Sequence, residues 1–155
     1  MSPAFSYVET GGGSRGVVGC GATLPDAFAQ VALGVFALLA DPASVEERDA
    51  REVRAHGAAS ESLLVNWLNE CLYVLDVEGF VPRRVEFTIF ALDASAPGGE
   101  PLRLHCRLHG ENLDPARHFP RETVRGISAD GAAVRATGDA LEARVVIESP
   151  GGPGS

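Results

Sequence analysis

Three observations predict an α+β fold in which two helices pack on an antiparallel or mixed β-sheet. Two long segments carry apolar residues at helical spacing, several short segments alternate apolar with polar residues, and the 155-residue length suits one domain. A helix with a single apolar face needs a partner layer, and here alternating strands are the material left to supply it.

The first helix is expected over residues 23–40. Thr23 followed by Asp26 has the form of a capping box with Asp in place of the usual Glu, and Pro25 suits the first turn, where its missing N–H costs nothing. Leu24, Phe28, Val31, Val35, Leu38 and Leu39 recur at three- and four-residue spacing, and Asp41-Pro42 ends the pattern. In the second helix Ser60 is the expected cap. Leu63, Leu64, Trp67, Leu68, Cys71, Leu72 and Leu75 share one face, and Asn66, Asn69 and Glu70 the other.

Val85, Phe87, Ile89 and Ala91 alternate with polar positions. After a Pro97-Gly98-Gly99 turn, Leu102, Leu104, Cys106 and Leu108 alternate with Arg103, His105, Arg107 and His109, so the two runs read as a hairpin with a long loop. Residues 123–128, 133–137 and 141–148 are expected as short strands separated by Asp130-Gly131 and Gly138-Asp139 turns. Residues 53–56 form another, and residues 5–9 and 17–20 flank a glycine loop as two more. One domain over residues 1–149 and a Gly/Pro-rich flexible tail over 150–155 complete the organisation.

Composition narrows the function. All 13 basic side chains are arginine, so lysyl Schiff bases, covalent lysyl-nucleotides and a P-loop lysine are excluded. A net charge of −8 provides no global basic field, and any RNA contact must be local or pass through a partner. The longest apolar run, residues 31–40, is well short of the roughly 20 residues that cross a bilayer. The N-terminus lacks the basic start and apolar core of a signal peptide, which predicts a cytoplasmic protein. Cys20, Cys71 and Cys106 are odd in number, far apart and in apolar surroundings, and read as buried thiols.

No nucleophile-elbow sequence or Ser-His-Asp arrangement is legible, so no catalytic residue is expected. His105 and His109 share a strand face with Arg103 and Arg107; this strip either meets phosphate or an acidic surface or is an ordinary solvated strand side. Asn69 and Glu70 are expected to tie the second helix to neighbouring backbone. The run Gly11-Gly12-Gly13-Ser14 with Arg15 has the composition of an anion nest, but it lacks a P-loop or dinucleotide fingerprint and opens no helix, so it reads as a flexible loop.

The segments TLPDAFAQVALGVFALLAD, LLVNWLNECLYVLDVEGF and LDPARHFPRETVRGISADG resemble, in this order and spacing, the first helix, the W-L-N-E helix and the D-P-x-R-H…K-A-x-T-Y-H stretch of the archease family. Three short motifs in register are more specific than any one. The resemblance covers residues 5–149. It implies two helices against an antiparallel sheet with a strand-helix-strand-strand core. It also implies an accessory, chaperone-like role, without enzymatic activity, in assisting an RtcB-type tRNA-splicing RNA ligase. A repurposed interaction module with another client protein is the alternative.

The family's H-T-A-D-x-G-I stretch falls on residues 11–17, which puts Gly11 at its His and Ser14 at its metal-binding Asp. The resemblance places the other acidic ligand at Glu148, with Ser149 contributing a main-chain oxygen. A Ser hydroxyl brings one neutral oxygen where a carboxylate brought charge, so calcium or magnesium is expected to bind weakly or not at all, leaving Glu148 as a solvated strand-end charge. In the DPARH stretch, Arg117 and His118 are candidates for contact with a partner, with a turn-stabilising hydrogen bond an equal reading. Arg125, where the family usually has Lys, is a third candidate.

Overall fold

The structure, a computed structural model, describes residues 5–9, 15–91, 102–118 and 124–148. The glycine loop, the Pro97-Gly98-Gly99 turn and the tail lie outside them.

Strand β1 (Phe5–Glu9) pairs with β2 (Arg15–Gly21), and α1 (Leu24–Leu39) follows. A 3-10 turn at Pro42–Ser44 leads into β3 (Asp49–Gly57), α2 (Ser60–Glu78), β4 (Phe80–Ala91) and β5 (Leu102–Asn112). The chain ends in a four-residue helix α3 (Pro115–His118), β6 (Gly126–Ile127), β7 (Ala133–Thr137) and β8 (Ala140–Glu148).

The strands form two sheets rather than one. The first has the order β1-β2-β8-β6, with β7 on the same edge of β8 as β6 but nearer its start; the second has the order β3-β5-β4. Every described pairing is antiparallel, so the mixed-sheet alternative drops out. The unit β3-α2-β4-β5 is the strand-helix-strand-strand core that the resemblance implied.

Helix α1 starts as its sequence dictates, with the Thr23 hydroxyl accepting the Asp26 N–H at 3.2 Å. It packs on β1, β2 and β8 and reaches across to β4, which is why Ala27, Ala32 and Ala37 are buried along with the expected stripe. Gly34 lets the first sheet come this close: a Cβ there would lie 2.6 Å from Val17 Cγ1 and 3.0 Å from the Phe5 ring. Tyr7 Oη donates to the Gly34 carbonyl at 2.8 Å, which fixes β1 on the helix.

Helix α2 differs at its start from the expectation. Ala59, not Ser60, is the capping residue, and Ser62 Oγ takes the capping role by accepting the Ala59 N–H at 3.0 Å. Ser60 is already inside the first turn, because β3 runs longer than residues 53–56 and Gly57 packs against the helix start at Leu63. The helix ends at Gly79, whose φ of 61° is readily adopted by glycine.

One core joins both sheets and both helices. Phe28 of α1 stacks on Trp67 of α2, with ring centroids 6.1 Å apart and planes 16° from parallel, and Phe87 and Phe90 of β4 close the cluster at 5.1 Å from Trp67 and 5.2 Å from Phe28. Trp67 is fully buried and its Nε1–H finds Cys106 Sγ at 3.2 Å, so its polar tip is satisfied. Replacing Trp67 by Ala should cost about 3–5 kcal/mol, whereas Thr23→Ala should cost only about 1 kcal/mol, a contrast measured by urea unfolding followed by far-UV circular dichroism.

Candidate functional site

The sequence candidates fall at three places. Glu148 closes β8 and is exposed. Its main-chain oxygen accepts the Arg125 N–H at 2.8 Å, and across the ladder stands Gly126. A Cβ on Gly126 would lie 3.3 Å from Asn69 Oδ1 and 3.8 Å from Glu148 Oε2, so the amide and the carboxylate converge on this glycine. Asn69 is already committed: its Oδ1 accepts the Ile127 N–H at 2.9 Å and its Nδ2 donates to the Ile127 carbonyl at 3.3 Å, a side chain acting as a strand partner. The expectation that Asn69 ties α2 to backbone is met. Asn66 does the same for the His56 carbonyl at 2.8 Å, while Glu70 is exposed and has no such bond among the described residues.

Ser14 and Ser149 lie outside the described residues. Arg15, next to Ser14 in sequence, pairs with Ile147, next to Glu148, so the described ends of β2 and β8 lie side by side. The described donors there are few for a hard cation, which needs several oxygens and anionic charge: Glu148 offers the one carboxylate, and the Asn69 and Glu148 carbonyl oxygens each already accept a hydrogen bond. No group of three or more His, Cys, Asp or Glu able to hold a metal is present among the described residues.

The second place is a buried polar clamp that sequence reasoning half missed. His118 is 0% exposed, its Nδ1 accepts the Asp114 N–H at 2.8 Å, and the ring proton is therefore on Nε2, which faces Glu111 Oε2 at 3.1 Å. The turn-stabilising reading of His118 is the one this geometry shows, and its ring has no surface to give a partner. Glu111 also accepts the Glu46 N–H at 2.5 Å and stands 3.4 Å from Arg48 Nε, so one carboxylate joins β5, α3 and the segment before β3. Its position extends the alternating solvent-side series 103, 105, 107, 109, so periodicity alone puts it in solvent; the DPARH stretch just after it is the nearest signal in the sequence. The side chain of Arg117 lies outside the described atoms, and that of Arg125 is exposed.

The third place is the outer face of the second sheet. Register sets Arg54 opposite His105 and His56 opposite Arg103, with Glu52 opposite Arg107 and Arg84 opposite His109 further along. Glu86 accepts from His109 at 2.8 Å, and that bond holds its carboxyl below the usual value. The strip read on one strand is therefore part of a three-strand patch.

The inner side of this sheet holds two of the thiols. Burial pushes Cys71 well up, while Cys106 is held down, chiefly by a hydrogen bond from Cys71, so Cys71 keeps its proton and donates. Cys20 is only half-buried, because the end of β2 lies near the surface.

Two concavities are lined by described residues. An apolar one of about 210 Å³ is lined by Phe5, Leu33, Phe36, Val45 and Val81, and a polar one of about 230 Å³ lies between β3 and α2 beside Arg54, His56, Asn66 and Glu70. Both fall below the roughly 300 Å³ at which small-molecule sites begin, and neither brings a nucleophile onto a base. The buried clamp yields a direct prediction. His118→Ala should destabilise the fold by about 3 kcal/mol in urea unfolding, because Glu111 loses a partner inside the protein, and His118→Gln, which keeps a donor, should cost less.

Comparison with known proteins agrees with the architecture. The profile of the Archease protein family (MTH1598/TM1083) matches residues 15–148. The chain is 36% identical over 113 residues to protein archease of Pyrococcus abyssi and 38% identical over 113 residues to protein archease of Thermococcus gammatolerans, covering 73% of this chain and 75% of the relative in each case. The solution structure of Methanobacterium thermoautotrophicum Protein 1598 superposes with a TM-score of 0.75 at 22% identity, over 95% of this chain and 99% of that one, which speaks for the fold. With the family profile matching residues 15–148 and relatives above 30% identical, the chain belongs to the archease family.

Proposed function

We propose that this protein is a non-catalytic accessory factor that binds a client protein, an RtcB-type RNA ligase, and promotes its guanylylation and turnover in tRNA splicing or RNA repair. The observation that carries the reading is the family match over residues 15–148. The geometry supports an accessory role. Asn66, Asn69, Glu111 and His118, the polar side chains best placed to do chemistry, are spent on main-chain and buried hydrogen bonds. The lysine-free composition also removes covalent lysyl-nucleotide chemistry from this chain itself. No helix among the described residues is long and apolar enough to cross a membrane.

A second reading, a module repurposed for another client, is favoured by Gly11 and Ser14 standing where the family has His and Asp. The two separate in a guanylylation assay with the ligase from the same genome. A several-fold gain in guanylylated ligase on adding this protein is the expected result, and no gain at stoichiometric protein leaves the repurposed reading.

Metal is the second test. Glu148 without an acidic partner at position 14 should hold calcium or magnesium no more tightly than about millimolar, since affinity falls with each carboxylate removed. Isothermal titration checks this: micromolar binding lost in Glu148→Ala would contradict it, and restoring the acid with Ser14→Asp should tighten binding.

A further inference from the structure

We propose that the outer face of the β3-β5-β4 sheet binds RNA directly through its sugar-phosphate backbone, with Arg54, His56, Arg103 and His105 as the contact set. The face carries Arg54, Arg84, Arg103 and Arg107 with His56, His105 and His109, against Glu52 and Glu86, in a chain whose net charge is −8. Arginines thus outnumber carboxylates on this face of an acidic protein.

The carboxylates on this face are also unevenly placed. Glu52 lies 3.4 Å from Arg107 and Glu86 lies 2.8 Å from His109, while Arg84 reaches Glu47 at 3.0 Å from outside the sheet. These pairs occupy the part of the sheet nearer the start of β3. At the other end, Arg54 and Arg103 have no ion-pair partner among the described residues, and Glu70, which shares the polar groove with Arg54 and His56, is not within ion-pair distance of either.

Register makes these four side chains a compact array. Directly opposed residues on antiparallel strands have Cβ atoms about 5 Å apart, and residues two apart along a strand are separated by about 7 Å. Arg54 opposite His105 and His56 opposite Arg103 therefore give two cationic forks on a diagonal, each beside an imidazole N–H. A guanidinium fork matches two phosphate oxygens at once, which an isolated point charge does not.

Charge complementarity selects the occupant. The centre of a protein interface is depleted of charge and enriched in aromatic residues, whereas among the described residues the one large apolar side chain exposed on this face is Ile89. Without an exposed aromatic the face cannot stack splayed bases, so contact is to phosphate and independent of sequence. Choosing RNA among phosphate polymers rests on the proposed role beside an RNA ligase; the anion-binding array itself does not. The rest of the chain is acidic, so binding is short-range and best seen at low salt.

The test is fluorescence anisotropy of the full chain with a labelled 20-nucleotide RNA hairpin. At 50 mM salt the expected dissociation constant is on the order of 10⁻⁵–10⁻⁴ M, with a slope of log K against log[salt] of about −2, from two arginine–phosphate contacts. Arg54→Glu with Arg103→Glu should weaken binding at least tenfold, and Arg135→Glu, on β7 of the other sheet, less than twofold. Arg54→Gln with Arg103→Gln repeats the test with less perturbation, and circular dichroism melting verifies that each variant is folded.

Absent binding at 1 mM protein, a double variant that binds as well as wild type, an equal loss in Arg135→Glu, or tighter binding of labelled polyglutamate than of RNA would each overturn the proposal. Running the variants in the guanylylation assay keeps the two readings separate. RNA binding without ligase stimulation removes the ligase role and leaves this surface, and stimulation without RNA binding removes the surface alone.

Discussion

The stack of Phe28 on Trp67 is the contact on which the rest of the arrangement depends, because it is where the two helices and the second sheet meet. Helix α1 belongs mainly to the first sheet and α2 mainly to the second, so without a rigid contact between them the sheets would be two weakly joined layers. An indole suits that position. It offers a broad face to Phe28 and an edge to Phe87, and its single N–H is satisfied by Cys106 Sγ, which leaves nothing polar exposed to the core. Small residues then let the layers close on this centre: Gly34 under Val17 and Phe5, and Gly57 under the first turn of α2.

Polar side chains do the remaining joining, and this shapes what the molecule is able to do. Asn69 binds both main-chain groups of Ile127 and so stands in for a neighbouring strand on the edge of β6 away from β8. Glu111 and His118 hold three chain segments together inside the protein. Carboxylates, amides and imidazoles are the usual instruments of catalysis, and here Asn69, Glu111 and His118 are each held by hydrogen bonds that fix their orientation. These side chains serve the fold, and the charged groups open to other molecules are those at its surface.

That surface is electrically divided. The chain is acidic overall, yet register on three strands gathers arginines and histidines on the outer face of one sheet, with the balancing carboxylates toward one end of it. The end of the other sheet holds Glu148 beside Gly126 and Asn69, close to the start of β2. These surfaces are on different sheets, so changes in the acidic end do not of themselves disturb the basic face.

The sequence by itself determined what depends on local periodicity. Helical spacing from Leu24 to Leu39 and from Leu63 to Leu75 located both helices, Thr23 located the start of the first, and period-two alternation on residues 102–109 gave the strand and which side of it is polar. It also carried the family, through three motifs in fixed order. Tertiary structure alone decided which strands share a sheet, because antiparallel pairing is a choice of distant partners that alternation does not encode. That choice split the strands into two sheets, placed Arg54 and His56 beside His105 and Arg103, and buried Glu111 at a position whose periodicity says solvent. The cap of α2 passed from Ser60 to Ser62 for a related reason: packing of Gly57 on Leu63 fixes where the chain can turn, and the hydroxyl then within reach of the Ala59 N–H is the one that caps.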